Sequence, residues 1–223
     1  MTIRLFLFDL DGTLVDTAPD LALAVNMVRT ARGIAPLPEE ELRPYASRGA
    51  PGLLGKAMGI GRDDPAFLAL RTEFLDNYAA HMTDRSRPFE GVPVMLEALR
   101  AAGIRTGVVT NKVEHLALRL TDNLGLDGQL DVVLGSDSEG CAMKPAPDSL
   151  LTAARLTGVP VTDILYAGDD PRDVAAAHAA GMPCAACTWG YAVTPPESWG
   201  ADLVAHSPAE LATWAVQLNA HAL

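Results

Sequence analysis

The chain of 223 residues carries 28 acidic against 17 basic side chains, a formal net charge of −11. With no basic tract, that balance excludes a nucleic-acid partner, whose phosphates would have to be met by lysine and arginine. A hydrophobic content of 49% with 20% charged residues excludes a disordered segment and leaves a globular protein long enough for one α/β domain and a smaller insertion.

The first predicted element is the apolar run Ile3, Leu5, Phe6, Leu7, Phe8, bounded by charge and glycine. An uninterrupted run of this kind reads as a strand buried on both faces, as in a parallel sheet. Asp9 and Asp11 follow it. Side chains two apart on an extended segment point the same way, so these carboxylates can converge just past the strand, where a divalent cation or a shared proton would relieve their repulsion. Gly12 allows a sharp turn or a close approach, and Thr13 adds a hydroxyl. The same acidic residues interrupt the N-terminal run, so no cleavable leader is expected, and no apolar segment approaches the ~18 residues of a membrane span. The expectation is a cytoplasmic protein with no membrane partner.

Next comes a helix through Leu21, Ala24, Val25 and Val28 that stops at Gly33. From there to Arg87 the pattern is helical, with no convincing strand, and Pro36, Pro38, Pro44 and Pro51 punctuate the connections. Residues 16–87 thus read as a helical insertion. After Phe89 the pattern becomes a regular alternation. Helices are predicted over 92–102, 113–124, 146–157, 171–180 and 208–218, with strands over 106–110, 132–134, 164–167 and 184–188 and a weak sixth at Leu203-Val204. Glycines 103, 125, 158 and 181 follow four of the helices, as left-handed C-terminal caps require. Repeated strand–helix units imply a doubly wound parallel sheet whose ligand sits beyond the carboxyl ends of the strands.

The residues at those strand ends are Asp9 and Asp11, then Thr110-Asn111-Lys112, then Lys144-Pro145, then Asp169-Asp170 with Asp173. In order and in strand context this set resembles the motifs of the haloacid dehalogenase superfamily of phosphatases, across the whole chain. The resemblance implies a Rossmann-like core, 1–15 and 88–223, with a helical cap at 16–87. It implies Asp9 as the nucleophile that forms an aspartyl-phosphate and Asp11 as the acid/base. Thr110 and Lys144 would act catalytically and, with Asn111, bind the phosphoryl group. Mg²⁺ would be held by Asp9, the Asp11 carbonyl and Asp169, with Asp173 orienting Lys144 behind these ligands. The chemistry suits such residues, because a phosphate monoester dianion repels nucleophiles and its hydrolysis depends on positioning and charge neutralisation.

One position departs from the pattern. The family often has Ser or Thr where this chain has Asp170, which is expected to stand behind the metal ligands rather than among them. Arg48, in the Ser47-Arg48-Gly49-Ala50 stretch of the insertion, is a candidate anion contact. The blander readings are Thr110 as a helix cap, Lys144 as a loop lysine and 169–173 as an acidic first turn. Within the superfamily, the stretch after Cys184 resembles phosphoglycolate phosphatases and, more closely, bacterial N-acetylmuramic acid 6-phosphate phosphatases, which points to a small phosphorylated metabolite. A phosphomutase and a phosphorelay receiver are the alternatives, the second disfavoured by Asp11 and by the insertion. Oligomeric state is open. The three cysteines, including Cys184 and Cys187 of a CxxC, read as core residues because positions three apart on a strand face opposite ways. His81, His115, His178, His206 and His221 share no ligand spacing and read as surface or packing residues. Trp189-Gly190-Tyr191 and the stretch from Trp199 to Asp202 read as packing.

Overall fold

In the computed structural model, which describes residues 2–220, strand β1 (Leu5–Phe8) has every side chain buried and is paired in parallel on both edges, as its apolar run predicts. The chain then leaves the sheet, re-entering it only at Arg105, and it falls into two compact units. The inserted unit is Val15–Arg87, and the core unit takes the rest.

The inserted unit holds β2 (Val15–Asp16), α1 (Ala18–Thr30), α2 (Glu39–Leu42), a 3₁₀ turn (Arg43–Arg48), α3 (Gly49–Met58) and α4 (Phe67–His81), and it ends at β3 (Arg87–Pro88). α4 buries Phe67, Leu70, Phe74 and Tyr78, the three- and four-residue spacing of a helix with one apolar face. The pair β2–β3 forms a two-stranded sheet where only helical periodicity was expected. Each strand is two residues long, too short for an alternating pattern to register.

One buried carboxylate ties this unit together. Asp20 in α1 has no exposed surface, and it accepts hydrogen bonds from the Arg85 amide at 3.1 Å, the Ser86 amide at 2.8 Å and the Ser86 hydroxyl at 2.7 Å. The contact joins α1 to the segment that follows α4. Asp20→Ala leaves these buried donors without an acceptor and should cost about 3 kcal/mol, read from the urea midpoint at unchanged m-value.

The core unit continues with α5 (Val92–Ala101), β4 (Arg105–Val109), α6 (Glu114–Asn123), β5 (Val133–Leu134), α7 (Asp148–Thr157), β6 (Ile164–Gly168), α8 (Pro171–Ala180), β7 (Cys184–Cys187), β8 (Leu203–Ala205) and α9 (Pro208–Ala220). Among the described residues, six strands form one parallel sheet in the order β5-β4-β1-β6-β7-β8. The faint signal at Leu203-Val204 is a real edge strand. α7 and α8 close on Gly158 (φ +67°) and Gly181 (φ +74°), a conformation that side-chain-bearing residues avoid.

Strand order locates the site. From β1 the chain winds outward through β4 and β5 on one side, then crosses to β6, β7 and β8 on the other. The crevice at such a reversal lies beyond the carboxyl ends of the central strands. Phe8 pairs with Val108 on one neighbour and Ala167 on the other, so Asp9, Thr110 and Asp169 all emerge at that end. No helix among the described residues is long and apolar enough to cross a membrane. His221 lies outside the described residues.

Candidate active site

Asp9 follows β1 directly, and its amide continues the ladder to the Ala167 carbonyl at 2.9 Å. The carboxylate is 8% exposed, with Oδ1 accepting from the Leu10 amide at 2.8 Å and lying 3.0 Å from Lys144 Nζ. Burial, and then the neighbouring Asp173 and Asp11 charges, outweigh the attraction of Lys144 and push the Asp9 pKa up to about 6.

Lys144 is the centre of a buried polar network. Its ammonium donates to Asp173 Oδ1 at 2.6 Å, the Tyr166 hydroxyl at 2.7 Å and the Val109 carbonyl at 3.2 Å, in addition to its contact with Asp9. Burial alone would push Lys144 down, but the Asp173 and Asp9 charges hold its pKa above the ordinary value, so it is charged. Tyr166, on β6, lies 3.1 Å from Asp173 Oδ1, to which its hydroxyl can donate in turn. It is a member of the site that the sequence concealed, because in a doubly buried strand a tyrosine passes for one more apolar residue.

Asp169 ends β6 with no exposed surface. It accepts from the Thr13 hydroxyl at 3.2 Å on Oδ1 and the Tyr191 amide at 2.7 Å on Oδ2. Burial, then Asp9 and Asp173, hold its carboxyl well above the usual carboxylate range. Glycine backbone also presses close on it. A Cβ on Gly12 (φ +86°) would lie 2.2 Å from Asp169 Oδ2, and one on Gly190 would lie 2.4 Å from the same atom. Gly168 gives Asp173 the same room, with 2.2 Å to its carboxyl. The Trp189-Gly190-Tyr191 stretch, read as packing, therefore also supplies a hydrogen bond and clearance to the site.

Asp9, Asp169 and Asp173 each offer a carboxylate oxygen within 4.8 Å of the others, a group able to hold a metal ion. Lys144 is the cation that meets Asp9 and Asp173, and the three carboxylates, when ionised, exceed it by two negative charges. An all-oxygen donor set with that deficit fits a hard divalent cation.

The other predicted residues have distinct placements. Asp11 is gripped by Lys112 Nζ, at 2.9 and 3.1 Å to its two oxygens, and the Lys112 side chain is 6% exposed. Lys112, the last residue of the Thr110-Asn111-Lys112 stretch, thereby joins the site. Thr110 is buried, and its hydroxyl oxygen accepts from the Lys112 amide at 3.2 Å, while α6 takes Val113 as its N-cap. Asn111 directs its side chain at the Lys144 backbone, donating to its carbonyl at 3.1 Å and accepting from its amide at 2.8 Å. It positions the lysine, and that is the contact it makes.

Asp170 caps α8 and meets Arg172, whose amide lies at 3.0 Å and whose guanidinium lies at 2.7 and 2.9 Å. Burial raises its pKa, but the Arg172 bonds prevail and leave it below the usual carboxylate range. Asp173 returns the capping box by accepting the Asp170 amide at 3.0 Å. Arg48 belongs to the inserted unit, exposed, with its guanidinium 5.7 Å from the Tyr45 ring centroid.

Three kinds of likeness accompany this geometry. Residues 3–181 match the family model described as haloacid dehalogenase-like hydrolase. The chain is 44% identical over 207 residues to a phosphoglycolate phosphatase of Xylella fastidiosa, covering 92% of this chain and 90% of that protein. It is 38% identical over 214 residues to an N-acetylmuramic acid 6-phosphate phosphatase of Pseudomonas aeruginosa, covering 95% and 94%. Among solved structures it is similar to that of a predicted phosphoglycolate phosphatase from Haemophilus somnus 129PT, with a TM-score of 0.86, 28% identity, and coverage of 96% and 98% of the two chains. It is also similar to CbbY from Rhodobacter sphaeroides in complex with phosphate, with a TM-score of 0.77, 26% identity, and coverage of 94% and 96%.

Proposed function

This chain belongs to the haloacid dehalogenase-like hydrolases and is a phosphomonoesterase, and on that footing we propose that it hydrolyses 2-phosphoglycolate with Mg²⁺ through an aspartyl-phosphate on Asp9. The observation that carries the reading is the meeting of Asp9 and Asp169, at the ends of adjacent strands, with Lys144 and with Asp173 of α8 in one buried acidic group.

In this reading Asp9 attacks phosphorus as the glycolate oxygen departs. Asp11 protonates that oxygen and later takes a proton from the water that hydrolyses the acyl phosphate. Lys112, bound to both Asp11 oxygens, must release them when substrate arrives. Lys144 holds Asp9 in place and offers charge to a phosphoryl oxygen, and Thr110, whose oxygen already accepts from the Lys112 amide, has its proton left to donate. Asp9, the Asp11 carbonyl and Asp169 would hold Mg²⁺, while Asp173 remains the partner of Lys144. The ion, when bound, neutralises the surplus charge and draws electron density from the phosphoryl oxygens. Arg48 is proposed as a contact for the substrate's carboxylate. The free thiols at Cys141, Cys184 and Cys187 support a reducing, cytoplasmic location.

A phosphatase assay with Mg²⁺ against 2-phosphoglycolate, N-acetylmuramic acid 6-phosphate and an aryl phosphate tests the proposal. The expected result is a kcat/KM for 2-phosphoglycolate at least about tenfold above the others. The reverse order would reassign the substrate, and no turnover of any would remove the activity.

A pH signature accompanies the metal. Folding raises the Asp9 pKa from 3.8 to about 6, so between those values the native state holds a proton that the unfolded chain has lost. The contribution of Asp9 to the stability of the metal-free protein therefore falls as pH rises through that window. Mg²⁺ competes for the same oxygens. Stabilisation by a fixed Mg²⁺ concentration should grow as pH rises through about 6, and an equal Tm shift at pH 5 and pH 8 would contradict Asp9 as a ligand.

A further inference from the structure

A second constellation lies at the opposite end of the sheet. Cys184 opens β7, and Tyr166 of β6 pairs with it, whereas Asp169 follows Gly168, the partner of Ala186. The amino end of β7 thus carries Cys184 about 10 Å from the strand's other end. His178 reaches it from the last turn of α8, and Asp202 from the turn before β8. Cys184 Sγ lies 3.4 Å from His178 Nε2, which lies 3.7 Å from Asp202 Oδ2. One ligand atom from each residue falls within 4.8 Å of the other two.

We propose that Cys184, His178 and Asp202 form a binding site for a Zn²⁺-class divalent cation, separate from the acidic cluster, with a fourth position open to water. Tetrahedral zinc with bonds of about 2.3 Å to sulfur and about 2.0–2.1 Å to nitrogen and oxygen sets sulfur–nitrogen spacing near 3.5 Å and nitrogen–oxygen spacing near 3.3 Å. The observed spacings are within a few tenths of an ångström of these. A thiolate, an imidazole and a carboxylate select zinc or cobalt over magnesium, whereas the catalytic cluster is all oxygen.

The site is also held in place by its own backbone. Asp202 Oδ2 accepts the Cys184 amide at 2.9 Å, and the Asp202 amide donates to the Cys184 carbonyl at 3.0 Å, so two of the three ligands are locked together before any cation arrives. Cys184 is 1% exposed, while the His178 and Asp202 side chains are 47% and 50% exposed. The sulfur therefore forms the floor of a notch whose rim faces water, which gives a cation an entry path. Mainly through burial, the free Cys184 thiol is pushed up to about 12, which removes it as a nucleophile at neutral pH. A bound cation would reverse that balance by stabilising the thiolate. Occupancy would clamp the C-terminal end of α8 to the β7–β8 edge.

Metal-stripped protein in excess Mg²⁺, which keeps the acidic cluster filled, is titrated with Co²⁺ and read by its thiolate-to-cobalt charge-transfer absorption. The expected result is a band that saturates at one Co²⁺ per chain, is bleached by Zn²⁺ and disappears in Cys184→Ser. His178→Ala and Asp202→Asn change solvent-facing side chains and should each weaken Co²⁺ binding at least tenfold, with circular dichroism unchanged. The proposal is overturned by the absence of a band, by a band that persists in Cys184→Ser, or by wild-type Co²⁺ affinity in His178→Ala. The last outcome decides the matter even if the serine variant does not fold.

Discussion

Asp9→Asn is expected to lower kcat against an aryl phosphate by at least about 10³-fold while leaving the metal-free fold as stable as the parent, or more so. The two halves have one cause. Asparagine retains an oxygen that can accept from Lys144 and the Leu10 amide, the contacts Asp9 makes in the structure. It cannot attack phosphorus to any useful extent. It also removes one negative charge from a buried group in which Asp169 and Asp173 oppose Asp9, so repulsion falls. A purely structural aspartate would show the opposite pair of results, lost stability with activity retained in whatever folds. Steady-state rates together with thermal melts in EDTA distinguish the two, and residual turnover above about 1% of the parent would refute the nucleophile assignment.

The second large effect is on stability. Lys144→Met deletes the ammonium of a residue that is 4% exposed, a group that touches two carboxylates, a phenol and a carbonyl. Removing one partner of a buried ion pair costs about 3–5 kcal/mol, because the abandoned charge stays desolvated. Here two carboxylates are abandoned. The loss should be visible as a fall in urea midpoint at pH 7 and should shrink at pH 5, where protonation of Asp9, whose pKa is pushed up to about 6, removes its charge. Adding Asp173→Asn to Lys144→Met should recover part of the loss, with a coupling of about 2 kcal/mol in the double-mutant cycle. Independent, additive losses would mean that the Lys144–Asp173 contact at 2.6 Å contributes little to the fold.

Much of this site was legible because strand ends are punctuated in sequence. Asp9, Thr110 and Asp169 each follow a buried apolar run, and parallel topology brings such positions to one edge without further information. Lys144 was legible only through its place in the order of motifs, since no strand precedes it directly. What stayed hidden has physical reasons. Tyr166 sits within the apolar run of β6, and nothing local shows that its hydroxyl meets Lys144. Lys112 carries no mark of its bond to Asp11, which depends on β1 and β4 being neighbours. Nothing local shows that the Asn111 amide meets the Lys144 backbone on both sides. His178, Cys184 and Asp202 have no ligand spacing along the chain. Their grouping arises only when a helix end, a strand start and a turn converge.

The tight fit of Gly12, Gly168 and Gly190 around Asp169 and Asp173 divides the glycines of this enzyme for anyone seeking a hardier version of it. Alanine raises stability by about 0.4–1 kcal/mol where the backbone angles suit it and space is free. Gly61 and Gly128 meet both conditions, with no left-handed φ and no atom within 4 Å of an added methyl. At the three glycines of the site the same methyl would occupy the volume of a carboxylate oxygen, so alanine there would cost turnover and stability together. Thermostabilising libraries drawn on this scaffold should leave those three codons untouched.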